Sequence, residues 1–175
     1  MNKIIEIINS QIGEEFYSAY VYLALAGRLE SWGLKGAANW MKVQAREEED
    51  HALGFFRFLL ERGEEPALPA ISRPDVSKVK NVLDAFSAGL AHEKHITGTI
   101  HAIYEAAREN KDYALESFIK WYIDEQVEEE ANANEIIDRL KLVGSDGPSL
   151  YLLDQELGAR IYTPSGPYAA GGEGK

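Results

Sequence analysis

Glu15, Glu48, Glu93 and Glu129 each interrupt an apolar stripe of helical period, and each belongs to a different stripe. His51 follows Glu48 at i+3, and Gln126 precedes Glu129 by the same interval. That spacing puts both members of each pair on one helix face. A carboxylate in a core costs several kcal/mol unless something neutralises it. One such residue can be protonated or paired, but four in four separate stripes require a common cause. No stripe carries Lys or Arg at the matching level, so bound cations are the simplest neutraliser. Glutamates with one histidine and a glutamine suit hard or borderline divalent ions, iron and manganese among them, and suit tetrahedral zinc less well. The number of carboxylates points to two ions, with Glu48 central enough to bridge them.

The competing reading is an ordinary solvated helix face. It fits Glu130, which lies off the stripe in the run Glu128 to Glu130, and it fits His92, His95 and His101. His51 alone would be a satisfied core histidine, and its spacing from Glu48 favours a ligand. Trp40, Trp121 and Tyr122 read as packing. Gln44 reads as a hydrogen-bond partner behind the ligands.

Long helices must carry these residues. The first runs from about Lys3 to Glu30 on the stripe Ile5, Ile8, Ile12, Ala19, Tyr22, Ala26 and Leu29, and Gly33 stands where a helix C-cap belongs. The second runs from about Lys35 to Arg62. Pro66, Pro69 and Pro74 then enforce an extended crossover. The third is expected from about Ser77 to Asn110, the fourth from about Asp112 to Val143, and a short fifth from about Ser149 to Arg160. Glu15 lies 17 residues before the first tight connection and Glu48 about 15 after it. At ~1.5 Å per residue both sit ~25 Å from that turn. Glu93, Gln126 and Glu129 stand in the same relation to the connection near Lys111. The pattern is an all-α four-helix bundle with one long crossover. Tyr17, Tyr20, Val21 and Leu23 make the first helix apolar off its stripe as well, which points to a second buried face against another subunit.

The 175 residues make one domain, expected over 1–161, with a mobile Gly- and Pro-rich tail over 162–175. Net charge is −11, which opposes nucleic-acid binding and attracts cations. No run of 18 apolar residues would span a membrane. The N-terminus does not read as a signal peptide. With no cysteine, disulfides, thiolate metal sites and cysteine nucleophiles are excluded, which is compatible with a reducing cytoplasm.

The sequence resembles the ferritin family over nearly its whole length, closest to the non-haem type of bacteria and archaea. The stretches that carry the likeness are EEFYSAYVYLALA, GAANWMKVQAREEEDHAL, AHEKHIT, FIKWYIDEQVEEEANANEIIDRL and the fifth-helix SLYLLDQELGAR. Ferritin-like di-iron bundles are themselves an established example of Glu and Glu-x-x-His ligation from four helices. The resemblance implies a first iron site of Glu15, Glu48 and His51, and a second of Glu48, Glu93 and Glu129 with Gln126 beside it. It implies a third, weaker iron at Glu47, Glu125 and Glu128. Tyr22 matches the tyrosine beside the diiron centre, although as a residue alone it reads equally as a core aromatic. Gln-x-x-Glu in the fourth helix and Glu49 at the haem-methionine position argue against a bacterioferritin and against haem. Without a Cys-x-x-Cys pair, a rubrerythrin is excluded. Glu116 matches one acidic channel position, but Ile119 stands at its partner, which leaves the iron uptake route open.

Three functions follow. In the first, Fe(II) is oxidised by O2 or H2O2 and stored as mineral in a 24-chain homo-oligomeric cage. The second is a diiron oxidase or peroxidase without storage, and the third is a metal-free acidic scaffold for other proteins. The resemblance favours the first.

Overall fold

The computed structural model describes residues 3–144 and 146–169. It contains α1 (Lys3–Ser31), α2 (Lys35–Glu61), α3 (Val82–Glu109), α4 (Tyr113–Val143) and α5 (Gly147–Leu157), with no strand among the described residues. α1 lies along α2 and α3 along α4, and the two hairpins pack chiefly through α1 against α3. Short, long, short connections therefore produce the expected four-helix bundle.

The turns fix the register of the two hairpins. The turn after α1 passes through Gly33, whose φ of 84° is a left-handed conformation that glycine adopts without penalty. Its N–H and that of Leu34 return to Glu30 O and Leu29 O. α3 begins at Val82, later than the Ser77 the sequence suggests. Asn81 caps the helix by accepting from Asp84 N at 2.8 Å, so residues 77–80 stay outside it. Asp112 opens α4 by accepting from Leu115 N at 3.1 Å. Asp146 and Pro148 start α5 two residues earlier than expected, and the helix ends at Leu157 rather than Arg160.

The crossover is extended and tied down. Asn9 Oδ1 accepts from Ala67 N at 2.8 Å, and Arg28 Nε donates to Val79 O at 2.9 Å. α5 docks on the start of α2. Its Asp154 carboxylate accepts from Gly36 N and Ala37 N, at 3.0 and 2.8 Å, and so caps a helix distant in sequence. Gly36 is required there, because a Cβ would fall 1.6 Å from Asp154 O.

The apolar core is split in two. One cluster holds Tyr22, Leu25, Met41, Phe86 and Ile137; the other holds Ile8, Ile12, Phe55, Ile100 and Tyr122. Glu15, Glu48, His51, Glu93, Gln126 and Glu129 fall between them in sequence on every helix and are all buried. Tyr20 and Leu23 on the outer face of α1 are 52% and 48% exposed in the single chain.

Removing the Asp154 carboxylate would free two N–H groups at the start of α2. Asp154→Ala is expected to lower the unfolding free energy by about 1–2 kcal/mol. Chemical denaturation of the metal-free protein checks this, and an unchanged midpoint contradicts it.

Candidate metal centre

The four bundle helices deliver their polar residues to one level. Glu15 comes from α1, Glu48 and His51 from successive turns of α2, Glu93 from α3, and Gln126 and Glu129 from α4. Glu15, Glu48, His51 and Glu93 are each only 1% exposed, and Gln126 and Glu129 are 5% exposed. Ligand atoms of Glu15, Glu48 and His51 all lie within 4.8 Å of one another, and so do those of His51, Glu125 and Glu129. His51 belongs to both groups because its two ring nitrogens point in different directions. Nδ1 lies 3.4 Å from Glu48 Oε2, and Nε2 lies 3.9 Å from Glu125 Oε1.

Hydrogen bonds satisfy part of this layer. Gln11 donates to Glu15 Oε1 at 2.9 Å. Gln44 Nε2 donates to Glu48 Oε1 at 3.0 Å and to Glu129 Oε1 at 2.7 Å, and so spans two carboxylates from different helices. Tyr22 Oη donates to Glu93 Oε1, and Gln126 Nε2 lies 3.2 Å from Glu93 Oε2. Tyr122 donates to His51 O at 2.9 Å, which fixes the backbone behind the imidazole. Glu15 Oε2 is buried and has no hydrogen-bond partner among the described residues. An orphan carboxylate oxygen beside a histidine and a second carboxylate is what a cation ligand looks like. The donor set therefore fits a divalent ion.

Protonation follows from burial. Burial raises Glu15 to about 7, against the opposing pull of His51. Burial and then the charge of Glu48 raise Glu93 to about 8. Burial, with Glu48 and Glu93 adding to it, holds Glu129 well above the usual carboxylate range. Burial depresses His51, but its hydrogen bond to Glu48 and the surrounding carboxylates prevail and raise it to about 10. Without a metal, protons share the layer.

A residue match to the Ferritin-like domain family covers 5–143. The chain is 37% identical over 166 residues to the bacterial non-heme ferritin of Staphylococcus saprophyticus, covering 94% of this chain and 99% of that one. It is 36% identical to the bacterial non-heme ferritin of Staphylococcus haemolyticus, covering 91% and 95%. The chain belongs to the ferritin family. Among solved structures, an engineered closed form of the Archaeoglobus fulgidus ferritin superposes with a TM-score of 0.91 at 44% identity, covering 93% of this chain and 99% of that one. The open-pore ferritin of the same archaeon gives 0.89 at 44% identity, covering 92% and 98%.

Within this ferritin fold, the first expected group, Glu15, Glu48 and His51, converges. Glu93 and Glu129 lie in the same layer but are turned toward Tyr22 and Gln126, and toward Gln44, respectively. The outer trio does not converge on a single point. Glu47 pairs with Arg160, Glu125 faces His51 and Ser165, and Glu128 is exposed. All three line one pocket of about 370 Å³, which Trp121, Pro164 and Ser165 help to enclose. Burial raises Glu47 to about 7, opposed by Arg160. Burial also raises Glu125.

Sequence reasoning missed Arg160 and Ser165. Both lie past the fifth helix, in a stretch without periodicity. Ser165 Oγ sits 3.3 Å from His51 Nε2. Residues 162–169, where a mobile tail is expected, contact α2: Tyr162 Oη and Ser165 N both donate to Asp50, and Tyr168 Oη donates to Glu61. The rest of that expected tail, 170–175, lies outside the described residues. His95 and His101 are exposed as anticipated, but His92 is half-buried, with its Nε2 2.7 Å from Ser18 Oγ.

The raised carboxylates and the raised imidazole act in the same direction on stability. Each binds its proton more tightly when folded than the free residue does. Their stabilisation is complete below the ordinary carboxylate range and is lost as pH rises, through about 7 for Glu15, about 8 for Glu93 and about 10 for His51. The metal-free protein is therefore expected to melt several degrees lower at pH 8 than at pH 5.5, with added Mn²⁺ restoring most of the loss at pH 8. Calorimetry at the two pH values decides it. A melting temperature that rises with pH in the absence of metal would contradict the buried-carboxylate account.

Proposed function

We propose that this chain is an iron-storage protein with ferroxidase activity, which binds two Fe(II) per chain at Glu15, Glu48 and His51 and at Glu48, Glu93 and Glu129, with Gln126 alongside. The observation that carries the reading is the buried, shared carboxylate layer with its orphan Glu15 oxygen. Fe(II) is both substrate and cargo. Its binding displaces protons from Glu15, Glu93 and His51, and the carboxylates then hold two cations whose charge offsets their own. Two Fe(II) ions surrender one electron each. With two protons these reduce O2 to H2O2, or reduce H2O2 to two waters. The protein contributes close, fixed placement of both ions and exclusion of bulk water by the two apolar clusters. Tyr22, bonded to Glu93, holds that ligand and stands beside the ions as a candidate redox-active phenol.

Storage is supported by the kinship with non-heme ferritins and by the unpartnered outer face of α1, which a multimer would cover. The assembly proposed is the 24-chain cage, without haem and in the cytoplasm, with residues 1–161 as its diiron domain. Among the described residues no helix is long and apolar enough to cross a membrane. A third, weaker iron is assigned to Glu47, Glu125 and Glu128, on the way out of the paired site.

Fe(II) added in air far beyond two ions per chain, followed by size-exclusion chromatography with iron detection, tests the whole reading. Iron should elute with a particle many times the 19.5 kDa monomer mass. A small oligomer holding about two irons per chain would support the non-storing diiron oxidase instead. Glu48→Ala should slow the initial oxidation by about 100-fold or more, because Glu48 serves both ions. Stopped-flow absorbance measures it, and a variant with the rate of the unaltered protein would remove the paired site as the catalyst.

A further inference from the structure

The mouth of the metal layer on the α2 and α4 side is occupied by a cation of the chain's own. Arg160 follows α5 and extends its guanidinium back over α2. One arm, Nη2, donates to Glu47 Oε2; the other, Nη1, donates to Gln44 Oε1 at 2.8 Å. The guanidinium also lies over the Trp40 ring, with Cζ 4.3 Å from the centroid. The side chain is thus held on three sides and only 22% exposed, against 15% for its Glu47 partner. A planar fork stacked on an aromatic loses little freedom when it forms such a pair.

We propose that Arg160 is a tethered cation that competes with metal for Glu47 and so sets the occupancy of the outer site. The proposal rests on the reading of Glu47, Glu125 and Glu128 as that site. A carboxylate whose oxygen accepts from a guanidinium has given part of its charge and one lone pair to the protein. An ion at the outer site can use Glu47 fully only by displacing Arg160. The second arm ties this to the inner pair. By holding Gln44 Oε1, Arg160 leaves the Gln44 amide N–H groups facing Glu48 and Glu129, to which they donate. The inner ligands are thereby kept ordered while the outer position stays weak, which suits a site that iron passes through rather than rests in. Arg160 is a positioning residue, since it meets the metal layer only through Glu47 and Gln44.

Two measurements on the full chain test this. In the first, metal-free protein is titrated with Zn²⁺ by calorimetry. Arg160→Gln should tighten the weakest zinc by about tenfold while the inner pair changes by less than about threefold. Arg160→Lys, which keeps the charge and loses the fork, should fall between. Adding Glu47→Gln to Arg160→Gln should abolish the gain. An Arg that only braces α5 would lower the melting temperature and leave the zinc sequence unchanged. Weakest-site affinity that is equal in Arg160→Gln and the unaltered protein, or a gain that survives Glu47→Gln, overturns the proposal. The second measurement needs no variant. Crystals of the unaltered protein soaked in Zn²⁺ should show anomalous density beside Glu47 with the guanidinium moved off that carboxylate. Zinc at Glu47 with Arg160 still paired to it overturns the competition. If outer zinc is lost in Glu128→Gln but indifferent to Arg160, the outer site stands and only the tethered-cation role fails. If no zinc binds beyond the inner pair in any form, the outer-site reading fails and the proposal falls with it.

Discussion

Repulsion among carboxylates buried at one level of the bundle is the constraint on which the rest of the structure depends. Two full charges ~5 Å apart repel by about 3 kcal/mol even at an effective dielectric of 20. Glu15, Glu48, Glu93 and Glu129 cannot all ionise in that layer without a counter-charge. The chain supplies part of it. His51 is held as a cation by Glu48 and its neighbours, burial raises Glu15 and Glu93 toward their protonated forms, and Gln44, Gln126, Gln11 and Tyr22 each donate to an acidic oxygen. What they leave unmet includes Glu15 Oε2, the oxygen on which the proposed metal binding rests.

Such a layer survives only if the scaffold around it is stable without it. The two apolar clusters lie on either side, so the cost is confined to the middle of each helix. Alignment of the layer is set at the helix ends. The Gly33 turn fixes how far α2 returns along α1, and the Asn81 and Asp112 caps set where α3 and α4 begin. A slip of one residue in either hairpin would rotate a glutamate by ~100° off the shared face. Turn chemistry far from the metal layer is thus part of its geometry.

The helices and the buried polar layer were legible in the sequence for the same reason. Both are periodic, and a glutamate on an apolar stripe is conspicuous because the surrounding stripe is regular. Gln44 could be assigned as a supporting donor because it lies one turn from Glu48 on that stripe. The early start of α5 and the late start of α3 were less legible. There the outcome turns on single capping contacts, Asn81 to Asp84 and Asp146 to Ser149, that compete with propensity over one or two turns. Arg160 and Ser165 were illegible. A search for basic partners confined to the stripes cannot find a guanidinium that returns from beyond the last helix, and Ser165 reaches His51 across 114 positions of chain.

The two sides of the layer differ, and the difference gives the site a direction. Toward α1 and α3 the oxygens are sealed: Glu15 and Glu93 are nearly inaccessible, and Tyr22 closes the space beside Glu93. Toward α2 and α4 the acidic residues grade outward, from buried Glu48 and Glu129 through half-buried Glu47 and Glu125 to exposed Glu128 in the pocket. Under the proposed function, an ion moving along that gradient would exchange dry, shared carboxylates for progressively wetter ones, spreading the cost of leaving over several small steps. The segment that follows α5 stands at the middle of this path. It contributes one fixed positive charge on Glu47 and one hydroxyl on the outward nitrogen of His51. A bundle of four helices could bind metal without that segment. On the proposed reading, an ion using this open side would have to displace a charge that the chain itself has placed on Glu47.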